Sequence, residues 1–145
     1  MSDYQKQMIV RWFEEVWNKG RREAIDEMLL PETVIHDGET DTRGPEEFKP
    51  FFDRIYATFS GMRFTTHEVI SEGDYTCARW SAAMRHTGDG LGVPPTGRAV
   101  GTTGMTLIRF HEGKFAEAWQ NWDMLGLIRQ MTGVAAPRGV YIAGR

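Results

Sequence analysis

Cysteine is almost absent from this chain: Cys77 stands alone among 145 residues. A lone thiol excludes an internal disulfide framework and fits a reducing, cytoplasmic setting. Long apolar runs are missing too. None approaches the roughly 20 residues that span a bilayer, and the opening stretch MSDYQKQMIVRWFEEVW is too charged and interrupted for a secretory signal. Excess positive charge is also lacking. A net charge of −3 leaves no electrostatic footprint for nucleic acid. The glycine-rich segment 87–97 has no lysine following a glycine at a helix start, so it is not a phosphate loop. His36, Asp37 and Asp123 are too few and too irregularly spaced for a metal site. No metal, membrane or nucleic acid is therefore expected. There is no internal repeat and no low-complexity linker.

What is present is apolar and aromatic. Hydrophobic residues make up 41% of the chain, with five Trp and eight Phe, enough for one globular domain. Met8, Trp12, Phe13, Val16 and Trp17 follow helical spacing, ending near Asn18–Gly20. A second short helix is expected over 21–29, stopped by Pro31. A strand follows over 33–37, then a polar loop over 38–44. A helix over 44–60 begins with Pro45 and early acids and carries Phe48, Phe51, Phe52, Ile55, Tyr56 and Phe59. Beyond Ser60 the pattern alternates, giving strands over 62–70, 75–86, 98–110 and 114–123. His111-Glu112-Gly113 makes a tight hairpin, and a short helical turn over 124–131 precedes a tail at 134–145. Helices first and then an antiparallel meander define an α+β domain over 1–133, with the helices packed on one face of a curved sheet.

Asp123 closes the last strand among apolar neighbours. Three uses are open to it: a helix cap, an ion pair, or proton transfer in a pocket. Pairing outward from a two-residue turn at Glu112-Gly113 sets Trp119 opposite Thr106, Asn121 opposite Gly104 and Asp123 opposite Thr102. In that register Trp119, Asn121, Asp123, Thr102 and Thr106 share one face, and that mixture suits a cavity with apolar walls and a few polar groups. The opposite face takes Ala118, Gln120 and Trp122. Trp80 and Met84 share a face of their strand and are candidate walls, as are Phe52 and Tyr56. His36 ends the first strand and is a candidate proton relay.

Three stretches carry a resemblance. HTGDGLGVPPTGRAVGTTGMTLIRF, GKFAEAWQNWDMLGLIRQMTG and VIHDGETDTRGPEEFKPFF resemble, in order and spacing, segments of the SnoaL-like polyketide cyclases, the ester cyclase family. The resemblance covers residues 8–133. It implies the cone-shaped α+β fold of the nuclear transport factor 2 superfamily and cofactor-free acid–base chemistry. It also implies an aspartate near the end of the last strand as general acid/base in an intramolecular aldol closure; the matching residue is Asp123, where hydroxylating relatives can carry Asn. The expected ligand is a small, apolar, carbonyl-bearing molecule. The expected site is Asp123, His36 and Asn121, with Phe52, Tyr56, Trp80, Met84, Thr102 and Trp119 as substrate contacts. A cone protein that binds without turnover, or an isomerase, dehydratase or epoxide hydrolase, is the alternative on the same fold. The open sheet face predicts a homodimer or larger homo-oligomer.

Overall fold

The computed structural model describes residues 2–133; the expected tail at 134–145 lies outside the described residues. Helix α1 (Ser2–Arg11) runs on through a wider π-helical stretch, Trp12–Asn18. There the Lys19 amide reaches back five residues to the Glu14 carbonyl. Then come α2 (Glu23–Met28), strands β1 (Leu29–Asp37) and β2 (Thr40–Arg43), α3 (Gly44–Thr58), strands β3 (Phe59–Glu72), β4 (Tyr75–His86), β5 (Ala99–His111) and β6 (Lys114–Trp122), and α4 (Met124–Thr132). The strands form one curved sheet in the order β2-β1-β6-β5-β4-β3. The fold is the expected α+β class, with helices on the inner face of the sheet.

Two local departures shape the site. The segment expected to be a loop over 38–44 instead contains β2, which pairs antiparallel with β1. Helix α2 ends at Met28, ahead of Pro31, and Pro31 itself lies inside β1. Having no N–H for the ladder, it coincides with a break in the parallel pairing of β1 with β6, between Leu29 and Val34. That parallel pair brings the first strand against the last, so Asp37 comes beside Gln120.

The second departure is in β6. The hairpin turn is as expected: Glu112 and Gly113 both have positive φ, 51° and 80°, and His111 pairs with Lys114. One step on, the register slips. Phe110 pairs with Phe115, but Arg109 pairs with Glu117, which makes Ala116 the extra residue of a β-bulge. Beyond it Trp119 faces Leu107 and Gln120 faces Thr106. A slip of one residue moves each partner set to the other side. Ala118, Gln120 and Trp122 therefore join Thr102, Thr106 and Ile108 on the inner face, and Trp119 is turned outward.

The core lies between this inner face and the helices. Trp12, Phe13, Val16 and Trp17 are buried against Phe48, Phe52, Trp80 and Phe115. Trp17 packs rings with Phe48, Phe51, Phe52, Tyr56 and Phe64 at centroid distances of 5.3–6.2 Å. Gly104 makes this packing compatible with a cleft. A Cβ there would lie 2.5 Å from the Trp80 ring and 2.8 Å from Trp122 Cβ, so only glycine lets the two indoles flank β5. Gly104→Ala is expected to lower stability by about 1–3 kcal/mol through this overlap, read as a lower midpoint in urea with an unchanged slope.

Candidate active site

A cleft of about 400 Å³ opens between β1, β2, α3 and the end of β6. Ile35, Phe48, Pro50, Phe51 and Met124 give it apolar walls, and Asp37, Glu47, Arg54 and Gln120 bring polar groups to it. Behind it, lined by Trp17, Phe51, Phe64, Trp80, Met84, Thr102, Gln120, Trp122 and Leu127, is a smaller apolar space of about 30 Å³. Phe51, Gln120 and Trp122 border both.

Of the two carboxylates lining this cleft, Asp37 is the one held by side-chain donors of β6. It alternates with the outward His36 and so shares the inner side with Ile35. Trp122 Nε1 donates to Asp37 Oδ1 at 2.9 Å, and Gln120 Nε2 donates to Oδ2 at 3.3 Å. Burial pushes the Asp37 carboxyl above the usual carboxylate range, and the two donors pull the other way without cancelling it. A carboxylate so placed is a stronger base than one in water, and its conjugate acid is available to return the proton. Glu47 is otherwise engaged, accepting the Arg43 amide at 2.8 Å at the start of α3. Arg54 lies over the Phe51 ring, 6.0 Å from its centroid. No group of three or more His, Cys, Asp or Glu side chains among the described residues could hold a metal ion.

Several expected site residues fall elsewhere. Asp123 does not project into the hollow: it is exposed, and its Oδ1 accepts the Gly126 amide at 2.9 Å as the N-cap of α4. Capping, one of the three uses left open by the sequence, is the one seen. His36 is on the outer face, its Nδ1 2.8 Å from Asp41 and its Nε2 2.7 Å from Glu117, stacked on Trp119 at 5.5 Å. The bulge at Ala116 puts Trp119 on that same outer face. Asn121 is exposed and is among the residues that line the cleft. Phe52 and Tyr56 do not line the cleft, although Phe48, one turn before Phe52 on α3, does. Phe52 is buried against Trp17, and Tyr56 donates its hydroxyl to the Trp17 carbonyl at 2.5 Å. Trp80, Met84 and Thr102 do come together, around the inner space. The sequence reading missed Asp37 as a site residue, and Gln120, Trp122, Phe51 and Arg54 with it.

The chain's sequence matches the profile of the SnoaL-like polyketide cyclases over residues 7–131. The chain belongs to the SnoaL-like polyketide cyclase family. Among its relatives, the aklanonic acid methyl ester cyclase DauD of Streptomyces sp. (strain C5) is 30% identical over 130 residues, covering 85% of this chain and 79% of that protein. The nogalonic acid methyl ester cyclase of Streptomyces nogalater is 30% identical over 122 residues, covering 79% and 88%. Among solved structures, a candidate SnoaL-like polyketide cyclase from Jannaschia sp. CCS1 superposes with a TM-score of 0.84 at 23% identity, covering 94% of this chain and 95% of that one. At that identity the superposition speaks for the fold alone. The family match spans both Asp37 and Asp123. No helix among the described residues is long and apolar enough to cross a membrane.

The outer-face histidine generates its own prediction. Hydrogen bonds from Glu117 and Asp41 raise the His36 pKa above its ordinary 6.5, and His36 lowers that of Glu117 below 4.5. A raised histidine pKa adds stability in full below 6.5, lost as pH climbs through the folded-state value; a lowered carboxylate adds stability above 4.5, lost as pH falls through its folded value. The pair therefore stabilises most between pH 4.5 and 6.5. The parent is expected to lose stability as pH rises above 6.5, and His36→Gln is expected to lack that fall, measured by denaturant titration across pH.

Proposed function

We propose that this family member closes a ring in an apolar, carbonyl-bearing, polyketide-type substrate by intramolecular aldol addition, with Asp37 as the proton-transfer group. The observation that carries the reading is the half-buried Asp37 carboxylate, held by Trp122 and Gln120 in an apolar-walled cleft. Asp37 takes the proton from the carbon between or beside carbonyls. The resulting enolate carbon attacks a second carbonyl carbon of the same molecule, forming one C–C bond. The carbonyl π pair moves to oxygen, and the alkoxide takes up the proton. Nothing is consumed or released. A hydrogen between two carbonyls is already acidic, so one base and a binding surface that holds the chain folded account for much of the acceleration. The relatives' names make aklanonic acid methyl ester and nogalonic acid methyl ester the first substrates to try.

Asp123, the position that the family resemblance marks for the base, is assigned a supporting role: it caps α4, whose first residue Met124 lines the cleft. The two aspartates are separated by one experiment. Asp37→Asn is expected to lower turnover about 100-fold or more. Asp123→Asn keeps a capping side chain and is expected to stay within about threefold of the parent. The opposite pattern, with Asp123→Asn inactive and Asp37→Asn active, would return the proton transfer to Asp123.

The outer face supports self-association. Ile70, Cys77, Leu107 and Trp119 are cross-strand partners in turn, forming an apolar row across β3–β6. Met105 beside it is 55% exposed. The flanking charges are already paired within the chain, Arg79 with Glu68 and Arg109 with Glu117. A neutral apolar row with internally satisfied charges fits a second copy of itself. Light scattering is expected to give a dimer for the parent and a monomer for Leu107→Arg; a monomeric parent would end this part of the proposal.

A further inference from the structure

Four side chains on the inner face of the sheet form a chain of hydrogen bonds that ends on Asp37 and starts from a group that can only donate. Trp80 Nε1 can only donate, and it lies 3.0 Å from Thr106 Oγ1. Thr106 is 2% exposed. Having accepted from Trp80, its hydroxyl has one proton to give, and Gln120 Oε1 stands 3.3 Å away. The Gln120 carbonyl is thereby turned toward Thr106, which leaves its amide nitrogen toward Asp37 Oδ2 at 3.3 Å. Trp122 supplies the second donor, to Oδ1 at 2.9 Å. The chain crosses four strands, β4, β5, β6 and β1, with one donor–acceptor sense throughout.

We propose that Thr106 is a positioning residue for Asp37: it holds the Gln120 amide so that two donors rather than one meet the carboxylate, and so sets the pH at which Asp37 takes up its proton. This rests on the reading of Asp37 as the proton-transfer group. With the amide reversed, Gln120 Oε1 would oppose the carboxylate oxygens, and the Thr106 proton would be left buried without an acceptor. Thr106 disfavours that state although it touches neither Asp37 nor the open cleft. Donors to a carboxylate favour its charged form, while burial disfavours it. The Gln120 amide is therefore a lever on a balance that burial already tilts toward the acid.

The other charged groups around Asp37 leave this lever in place. Glu47 and Arg54, both on α3, line the same cleft, and Glu47 is tied to the Arg43 amide. Asp123 is tied to Gly126. Thr40 and Thr42 of β2 are uncharged, and His36, Asp41 and Glu117 are engaged with one another on the opposite face.

The test needs no substrate. With aspartate carboxyl carbons labelled with carbon-13, and the Asp37 signal assigned by its loss in Asp37→Asn, its titration is followed by NMR in the full chain. Thr106→Val frees the Gln120 amide and is expected to move the Asp37 midpoint upward by about one pH unit, a tenfold change in proton affinity. Thr106→Ser keeps the hydroxyl and is expected to titrate as the parent does. A Thr106→Val midpoint at the parental value overturns the proposal, as does a Thr106→Ser shift as large as that of Thr106→Val. If Thr106→Val does not fold, Gln120→Met removes the donor directly and is expected to give the same upward shift; an unmoved midpoint there overturns the proposal. The cyclase reading fails separately: Asp37→Asn would retain turnover while the Asp37 midpoint still followed Thr106.

Discussion

Everything about the cleft depends on one extra residue in β6. The bulge at Ala116 shifts the pairing of Glu117 and all that follows by one position relative to β5. Strand side chains alternate, so a bulge decides which half of the strand looks inward. With it, Gln120 and Trp122 reach Asp37 from the neighbouring strand, and Trp119 stacks outside on His36. Without it, the same sequence would send Trp119 and Asn121 toward the helices and leave Asp37 without donors. Gly104 is the matching concession on β5, giving up a side chain so that Trp80 and Trp122 can occupy its two sides.

The architecture was legible from the sequence because its signals are local and redundant. The helical spacing from Met8 to Trp17, the Pro45 start of α3 and the positive-φ turn at Glu112-Gly113 each act within a few residues. The parallel contact between β1 and β6 was not legible, since no local pattern joins positions 37 and 120. The inner face of β6 was misassigned because a constant pairing sum was carried outward from a correctly placed turn. A trace of the bulge is present in the sequence: Phe115 and Ala118 are both apolar and three apart, which strict alternation does not allow if both face the core. They are 1% and 4% exposed, and the irregularity between them is the bulge.

The two histidine–carboxylate and tryptophan–carboxylate arrangements show how similar residue types divide between stability and chemistry. His36 lies between two carboxylates on the outer face, with Asp41 62% exposed. Such a cluster stabilises a charged imidazole, and none of its three residues lines the cleft. Among the described residues, Asp37 has no cation within ion-pair distance and is held by neutral donors. A neutral-donor site cushions the carboxylate without neutralising it, so the group stays able to exchange a proton. The cost falls on stability: a carboxyl whose folded pKa is raised above 3.8 favours folding as the acid, and that contribution is lost as pH rises through the folded value.

That cost explains why the surrounding polar chain is so complete. An ionised carboxylate lowered into an apolar cleft with freely rotating neighbours would either draw in water or stay protonated. Here each donor is itself anchored: Trp122 by its place beside Gly104, and Gln120 by Thr106, which is in turn fixed by an indole that can only donate. Preorganised dipoles need no reorientation when charge appears or leaves. If Asp37 transfers a proton as proposed, its base strength is set by these neutral donors and by burial rather than by a salt bridge. Thr106, two strands from Asp37, orients the Gln120 amide much as the bulge orients β6: each fixes a direction that the atoms nearest Asp37 cannot fix for themselves.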